Sequence, residues 1–243
     1  MSDPVRLLDL FTLVDWFAFA FLVFSLGLTR RIIEHPPTSM PSTHVLMRQY
    51  RRQWMAEMAA RDVRIFDAQV LATLRQGATF FASTTLISIG GGAAILGQAE
   101  RVETVARDLN PGFSAPLIVW EVKILLVVIL LGLAFLKFVW SIRLFGYCAV
   151  MMSAIPNDGT SVRAKSMARR AGELNIYADR SFTRGLRTVY FALASLAWFF
   201  GPWGFILAVL ITDTIIWRRE FRSDTRKLLL ADHADAEAAA EKA

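Results

Sequence analysis

Four long apolar stretches, roughly Leu10–Leu28, Ala78–Leu96, Leu117–Phe138 and Val189–Trp217, leave this chain few ways to fold. Each is about as long as a helix needs to cross a hydrocarbon core, ~20 residues at ~1.5 Å per residue. In lipid a lone strand leaves its backbone polar groups unpaired, so the stretches are expected to be helices. The predicted class is all-α: a polytopic helical membrane protein, built as a four-helix transmembrane bundle with long amphipathic cytoplasmic helical extensions.

Composition agrees. The 243 residues are 55% hydrophobic and 20% charged, too apolar for an ordinary soluble domain and too charged to lie wholly in lipid. Residues 1–230 read as one helical membrane domain. The segment 231–243, ADHADAEAAAEKA, is acidic and alanine-rich without an apolar stripe, and is expected to be disordered. The first stretch does not resemble a cleaved signal: Asp3 and Asp9 precede it, Asp15 lies inside it, and Arg30-Arg31 follow it.

The net charge is +6, from 22 Arg and 5 Lys against 21 acids. Positive residues gather beside membrane helices on the cytoplasmic side, and no nucleic-acid motif accompanies them, so nucleic acid is not an expected partner. Cys148 is the sole cysteine, and the histidines are His35, His44 and His233. These cannot supply a zinc cluster or a paired-histidine haem site, so no metal and no cofactor are expected. Phosphate-binding, zincin and nucleophile-elbow motifs are missing too. The reading leans away from an enzyme, with no catalytic residues.

Between the first two stretches lies a predicted amphipathic helix, roughly His44–Gln76, with Thr43 as its cap. The simplest picture runs it on without a break into the second membrane helix. That helix carries small residues at Thr84, Ser88 and Gly92, a face suited to close packing in lipid. The third is expected to extend well past Phe138 until Pro156-Asn157-Asp158-Gly159 stops it. A basic, helical segment, 160–187, follows.

The last stretch, 189–217, has Gly201-Pro202-Trp203-Gly204 near its middle. A straight helix of that length would measure about 44 Å against a core of ~30 Å. One kinked span or a hairpin of two arms both fit. The basic connections 29–76 and 143–187 belong in the cytoplasm. The cations at 218–227 favour a hairpin, which returns them to that side, yet the alternatives stay open.

Charges inside spans cost ~2.5–3.5 kcal/mol each at the centre, so Asp15, Glu121 and Asp213 are candidate intramembrane polar sites. At the cytoplasmic face Arg64, Asp67, Arg143 and Arg187 form a candidate anion or lipid-headgroup site, with Asp67 ordering the cations. The expected partners are the bilayer, anionic lipid headgroups, and further copies of the chain or another membrane subunit.

Several blocks carry a resemblance: Arg51-Arg52, Trp54, RDVRIFDAQ (61–69), FFASTTL (80–86), FLKFVWSIRLF (135–145), Tyr147, AIP (154–156), FTRGLRTVYFALASLAWFFGP (182–202) and RREFRS (218–223). Over roughly 9–224 the chain resembles the multi-pass membrane family known as domain of unknown function 599. The resemblance implies a four-helix inner-membrane protein and carries no activity, so no catalytic residues transfer. The expected function is a non-enzymatic scaffold, assembly factor or accessory subunit. The alternatives are a small oligomeric transporter or channel, or a lipid-binding protein, using the basic cluster.

Overall fold

The computed structural model describes residues 10–98, 100, 101, 104 and 116–241; Asp3, Asp9 and most of the connection expected at 98–116 lie outside them. Among the described residues the chain is helical, with no strand. The helices are α1 (Leu13–Glu34), α2 (Thr43–Ala60), α3 (Ile65–Leu96), α4 (Leu117–Ser153), α5 (Val162–Ser195), α6 (Pro202–Phe221) and α7 (Asp224–Glu241). A 3-10 turn, Leu196–Phe200, separates α5 from α6. The backbone of the acidic segment is thus helical as far as Glu241, where its composition alone predicts a frayed tail.

Three of these helices, α1, α3 and α4, are long and apolar enough to cross a membrane. The fourth apolar stretch is not one helix. It divides at Gly201, whose φ of 106° is open to glycine at little cost and to other residues only with strain.

The chain divides into two compact units: residues 1–28, 83–136 and 185–214 form the first, and 29–82, 137–184 and 215–243 the second. In the first unit, helix ends are closed by side chains. Thr12 and Asp15 form a reciprocal cap at the start of α1: the Asp15 amide donates to Thr12 Oγ1 at 3.2 Å, and the Thr12 amide donates to the Asp15 carboxylate at 3.0 Å. Trp198, Phe205, Trp120 and Phe199 stack around the 3-10 turn, with ring centroids 5.2 Å apart for Trp198–Phe205 and 6.0 Å for Trp120–Phe199. In α3, a Cβ added at Gly92 would come within 2.6 Å of Val128 Cγ2, so glycine there lets α3 and α4 approach.

The second unit has its own core, built on Met55, Met58, Leu71, Phe145, Cys148 and Met152. Its seam is a run of small buried residues on α5: Ala164, Ala168, Ala171, Asn175 and Ala178. They recur at four and three residues, one face of a helix. Small side chains let α4 come close enough for its polar groups to reach α5 carbonyls: Ser141 Oγ donates to Ala178 O at 2.7 Å and Cys148 Sγ to Ala171 O at 3.3 Å.

The expected single helix from 44 to 96 is interrupted. Ser42, not Thr43, caps α2, its Oγ accepting from the Val45 amide at 3.2 Å. The helix ends at Ala60, and α3 begins only at Ile65. Gly159 packs against that ending so tightly that a Cβ would lie 2.3 Å from the Ala59 carbonyl oxygen.

Candidate functional site

Among the described residues every Lys and Arg except Arg101, Lys123 and Arg187 falls in the second unit. There the described charges mostly tie helices together. Glu34, at the end of α1, is buried and held by the Arg184 guanidinium through both carboxylate oxygens, the Nε contact being 2.6 Å. Arg48 Nη2 donates to the Glu34 carbonyl at 3.2 Å. Burial, reinforced by neighbouring Arg180, pushes the Arg48 guanidinium below its ordinary value.

His44 and Arg51 on α2 converge on Asp179 of α5. Arg51 Nη2 lies 2.7 Å from Oδ1, and His44 Nδ1 lies 3.5 Å from Oδ2. Arg51 also donates to the Asn175 side chain. Burial would raise the Asp179 carboxyl, but the His44 contact and the Arg51 charge outweigh it and hold the group below the ordinary carboxylate value. The His44 amide donates to Glu220 on α6 at 3.2 Å, and Thr43 Oγ1 donates to the Glu220 carbonyl at 3.0 Å. One residue, His44, therefore meets the chain both before and after the Gly201 break. A straight helix would separate positions 179 and 220 by about 60 Å. The 189–217 stretch is a hairpin.

The four residues expected to form one basic site have different surroundings. Arg64, in the break between α2 and α3, donates to four main-chain carbonyls: Ile155 at 2.9 Å, Pro156 at 2.9 Å, Ala59 at 3.1 Å and Arg61 at 3.4 Å. Asp67 is fully buried and accepts from Trp54 Nε1 and Arg61 Nη1, each at 2.7 Å. Arg143 is exposed on α4, with no hydrogen bond or ion pair among the described residues. Arg187 is buried and belongs to the first unit. The cation that Asp67 holds is Arg61, which lies outside the expected set of Arg64, Arg143 and Arg187.

The candidate intramembrane groups all fall in the first unit. Besides its capping bonds, Asp15 accepts from Trp198 Nε1 at 2.7 Å. Asp213 is half-buried and bonds the Ser25 hydroxyl. Glu121 is half-buried without a hydrogen bond or ion pair among the described residues. Lys123, on the same helix, is the buried one. Its Nζ donates to the Trp198 carbonyl at 3.0 Å and lies 5.1 Å from the Trp120 ring centroid. The Trp198 carbonyl lies within the 3-10 turn and also accepts from the Gly201 amide at 3.0 Å.

A groove of about 420 Å³ lies in the second unit along the start of α3 and the end of α4. Met58, Leu71, Phe145, Met152 and Ile155 form its apolar floor, Ala68, Ala72 and Ala149 leave it open, and Arg64 and Arg75 stand at its wall. Sequence reasoning missed this groove. The signal for it was Ala68, Ala72 and Arg75, set four and three residues apart on one helix face.

Among the described residues no group of three or more His, Cys, Asp or Glu could hold a metal ion. The family model described as "Protein of unknown function, DUF599" matches residues 12–225. No curated protein and no solved structure matches the chain.

Proposed function

We propose that this chain, which belongs to the DUF599 family, is a multi-pass inner-membrane protein that acts as a non-enzymatic scaffold or accessory subunit, assembling in the bilayer through the outward face of α3. The observation that carries the reading is how little of that helix is covered. Of its most apolar window 11% is buried, against 22% in α1 and 28% in α4.

Its uncovered face carries a run of small residues among the exposed apolar side chains Phe80, Ile87 and Ile95. Thr84, Ser88 and Gly91 recur at four and three residues and all are exposed. A Cβ at Gly90 or Gly91 would meet nothing within 4 Å. Such a face does little for a helix surrounded by lipid chains but lets a second helix approach closely. Ser88 Oγ donates back to the Thr84 carbonyl at 2.9 Å, so the Ser88 hydroxyl proton is satisfied within the helix. Gly92, which the sequence groups with Thr84 and Ser88, is the member that packs inside the chain.

The proposed topology has the N-terminus outside and the basic second unit in the cytoplasm. The meeting of Asp179 and Glu220 at His44 supports it. So does the gathering of cations in that unit.

Native mass spectrometry of the protein extracted gently from its own membranes tests the reading. A defined homo-oligomer or a stoichiometric partner is expected, and Gly91→Leu should release it. A bare monomer for both wild type and Gly91→Leu would overturn the proposal.

A further inference from the structure

The groove between the start of α3 and the end of α4 has a lining that the helix ties do not explain. Its floor belongs to the core of the second unit, yet its mouth is not filled. Ala68 and Ala72 are exposed on α3 and Ala149 is half-buried on α4, so three methyl groups stand where larger side chains would close the space. A volume of about 420 Å³ is within the ~300–1,000 Å³ typical of sites for drug-sized molecules. It is more space, and more apolar space, than a bare inorganic anion uses.

The wall is positive and carries no compensating acid. Arg64 and Arg75 line the groove, with Ser153 and Asn157 as neutral polar neighbours and no carboxylate. The Arg64 guanidinium is fixed by its bonds to the Ile155, Pro156 and Ala59 carbonyls. Those bonds satisfy its N–H groups without neutralising its charge. The exposed Arg75 guanidinium has no hydrogen bond or ion pair among the described residues. It lies one turn before Ala78, where the apolar stretch of α3 begins. Both walls of the groove therefore run on into helices long and apolar enough to cross a membrane.

We infer that the groove binds a single anionic phospholipid, its phosphate paired with Arg75 in the field of Arg64 and part of an acyl chain laid over Met58, Leu71, Phe145 and Met152. Charge complementarity selects the anionic headgroup, and the apolar floor selects an amphiphile over free phosphate. Arg64 is a fixed wall charge and Arg75 the pairing group.

The test uses the full-length protein in nanodiscs of equal phosphatidylglycerol and phosphatidylcholine, released into the gas phase with lipid adducts counted. Wild type should retain one phosphatidylglycerol in preference to phosphatidylcholine. Ala72→Phe, which fills the mouth, should lower that occupancy at least about tenfold. Arg75→Gln should keep a bound lipid but lose the headgroup preference. Thermal unfolding of each variant checks the fold, and Ala149→Leu replaces Ala72→Phe if the latter does not fold. Wild-type occupancy in a folded groove-filling variant would overturn the inference. Displacement of the lipid by millimolar glycerol phosphate would reassign the site to a free anion and overturn it equally. So would several adducts with no headgroup preference, the pattern of a non-specific lipid shell.

Discussion

Asp67 is the clearest case of a charge held for structure. It is fully buried, and its two partners differ in cost: Trp54 Nε1 is an uncharged donor, while the Arg61 side chain is 45% exposed. Removing the carboxylate strands the indole N–H while the half-exposed guanidinium turns to water, whereas removing Arg61 leaves a fully buried carboxylate with its Trp54 bond alone. Asp67→Ala should destabilise by about 1–3 kcal/mol, and Arg61→Ala by more, about 3–5 kcal/mol, because it leaves a buried carboxylate without its cation. Thermal unfolding in detergent measures both, and equal losses would contradict the assignment. Asp179 gives a pH dependence. Its folded-state carboxyl titrates below the ordinary value of 3.8, so its contribution is present above that value and is lost as pH falls through the depressed one. Wild type should be flat near neutrality and lose stability once pH drops below about 4. Asp179→Asn should start lower at neutral pH and show a shallower acid limb. At this scale the sequence marks Asp67 and Arg64 because they precede the apolar stretch of the second membrane helix. It cannot show that Arg64 faces carbonyls, which depends on where the α2–α3 break falls, or that Arg143 faces away from the core, which depends on how α4 packs against α5.

At the scale of elements, that break is the feature hardest to read. The segment Arg61-Asp62-Val63-Arg64 contains neither glycine nor proline, so local propensity favours continuing the helix. Tertiary contacts decide instead: the Gly159 turn occupies the end of α2, and Arg64 binds the carbonyls around it. Gly159→Ala should cost about 1–3 kcal/mol, because the new methyl meets backbone and not a movable side chain. Gly146→Ala, on α4 with open space around it, should be neutral or mildly stabilising through helix propensity. A denaturant series on the pair checks the contrast, and similar behaviour would argue against the tight turn. The other break was legible. Gly201-Pro202 in an overlong apolar stretch signals interruption, and its chemistry matches what is found: glycine at positive φ, then proline at the first position of α6. The small-residue seam of α5 also stands in the sequence, at Ala164, Ala168 and Ala171, but the surrounding arginines mask it by pulling the segment's mean hydropathy down.

Across the whole molecule, length and hydropathy announce an all-helical chain with apolar helices of membrane-spanning size, because solvent segregation depends on composition more than on contacts. Three such helices are present among the described residues. The fourth stretch matches one in length and differs in shape. How the chain meets other molecules depends on which face of each helix is left over after internal packing. Thr84, Ser88 and Gly92 look alike in sequence, yet Gly92 is used inside the chain while Thr84 and Ser88, now joined by Gly91, point outward. The assembly account turns on that difference, and disulfide crosslinking of Ser88→Cys in native membranes tests it most directly, since Cys148 is buried and does not compete. A crosslinked product at twice the chain mass or joined to one defined partner, lost in Ser88→Cys with Gly91→Leu, is the predicted result. No product from Ser88→Cys, together with one from a cysteine at Leu136 on α4, would contradict the account and move the assembly face elsewhere.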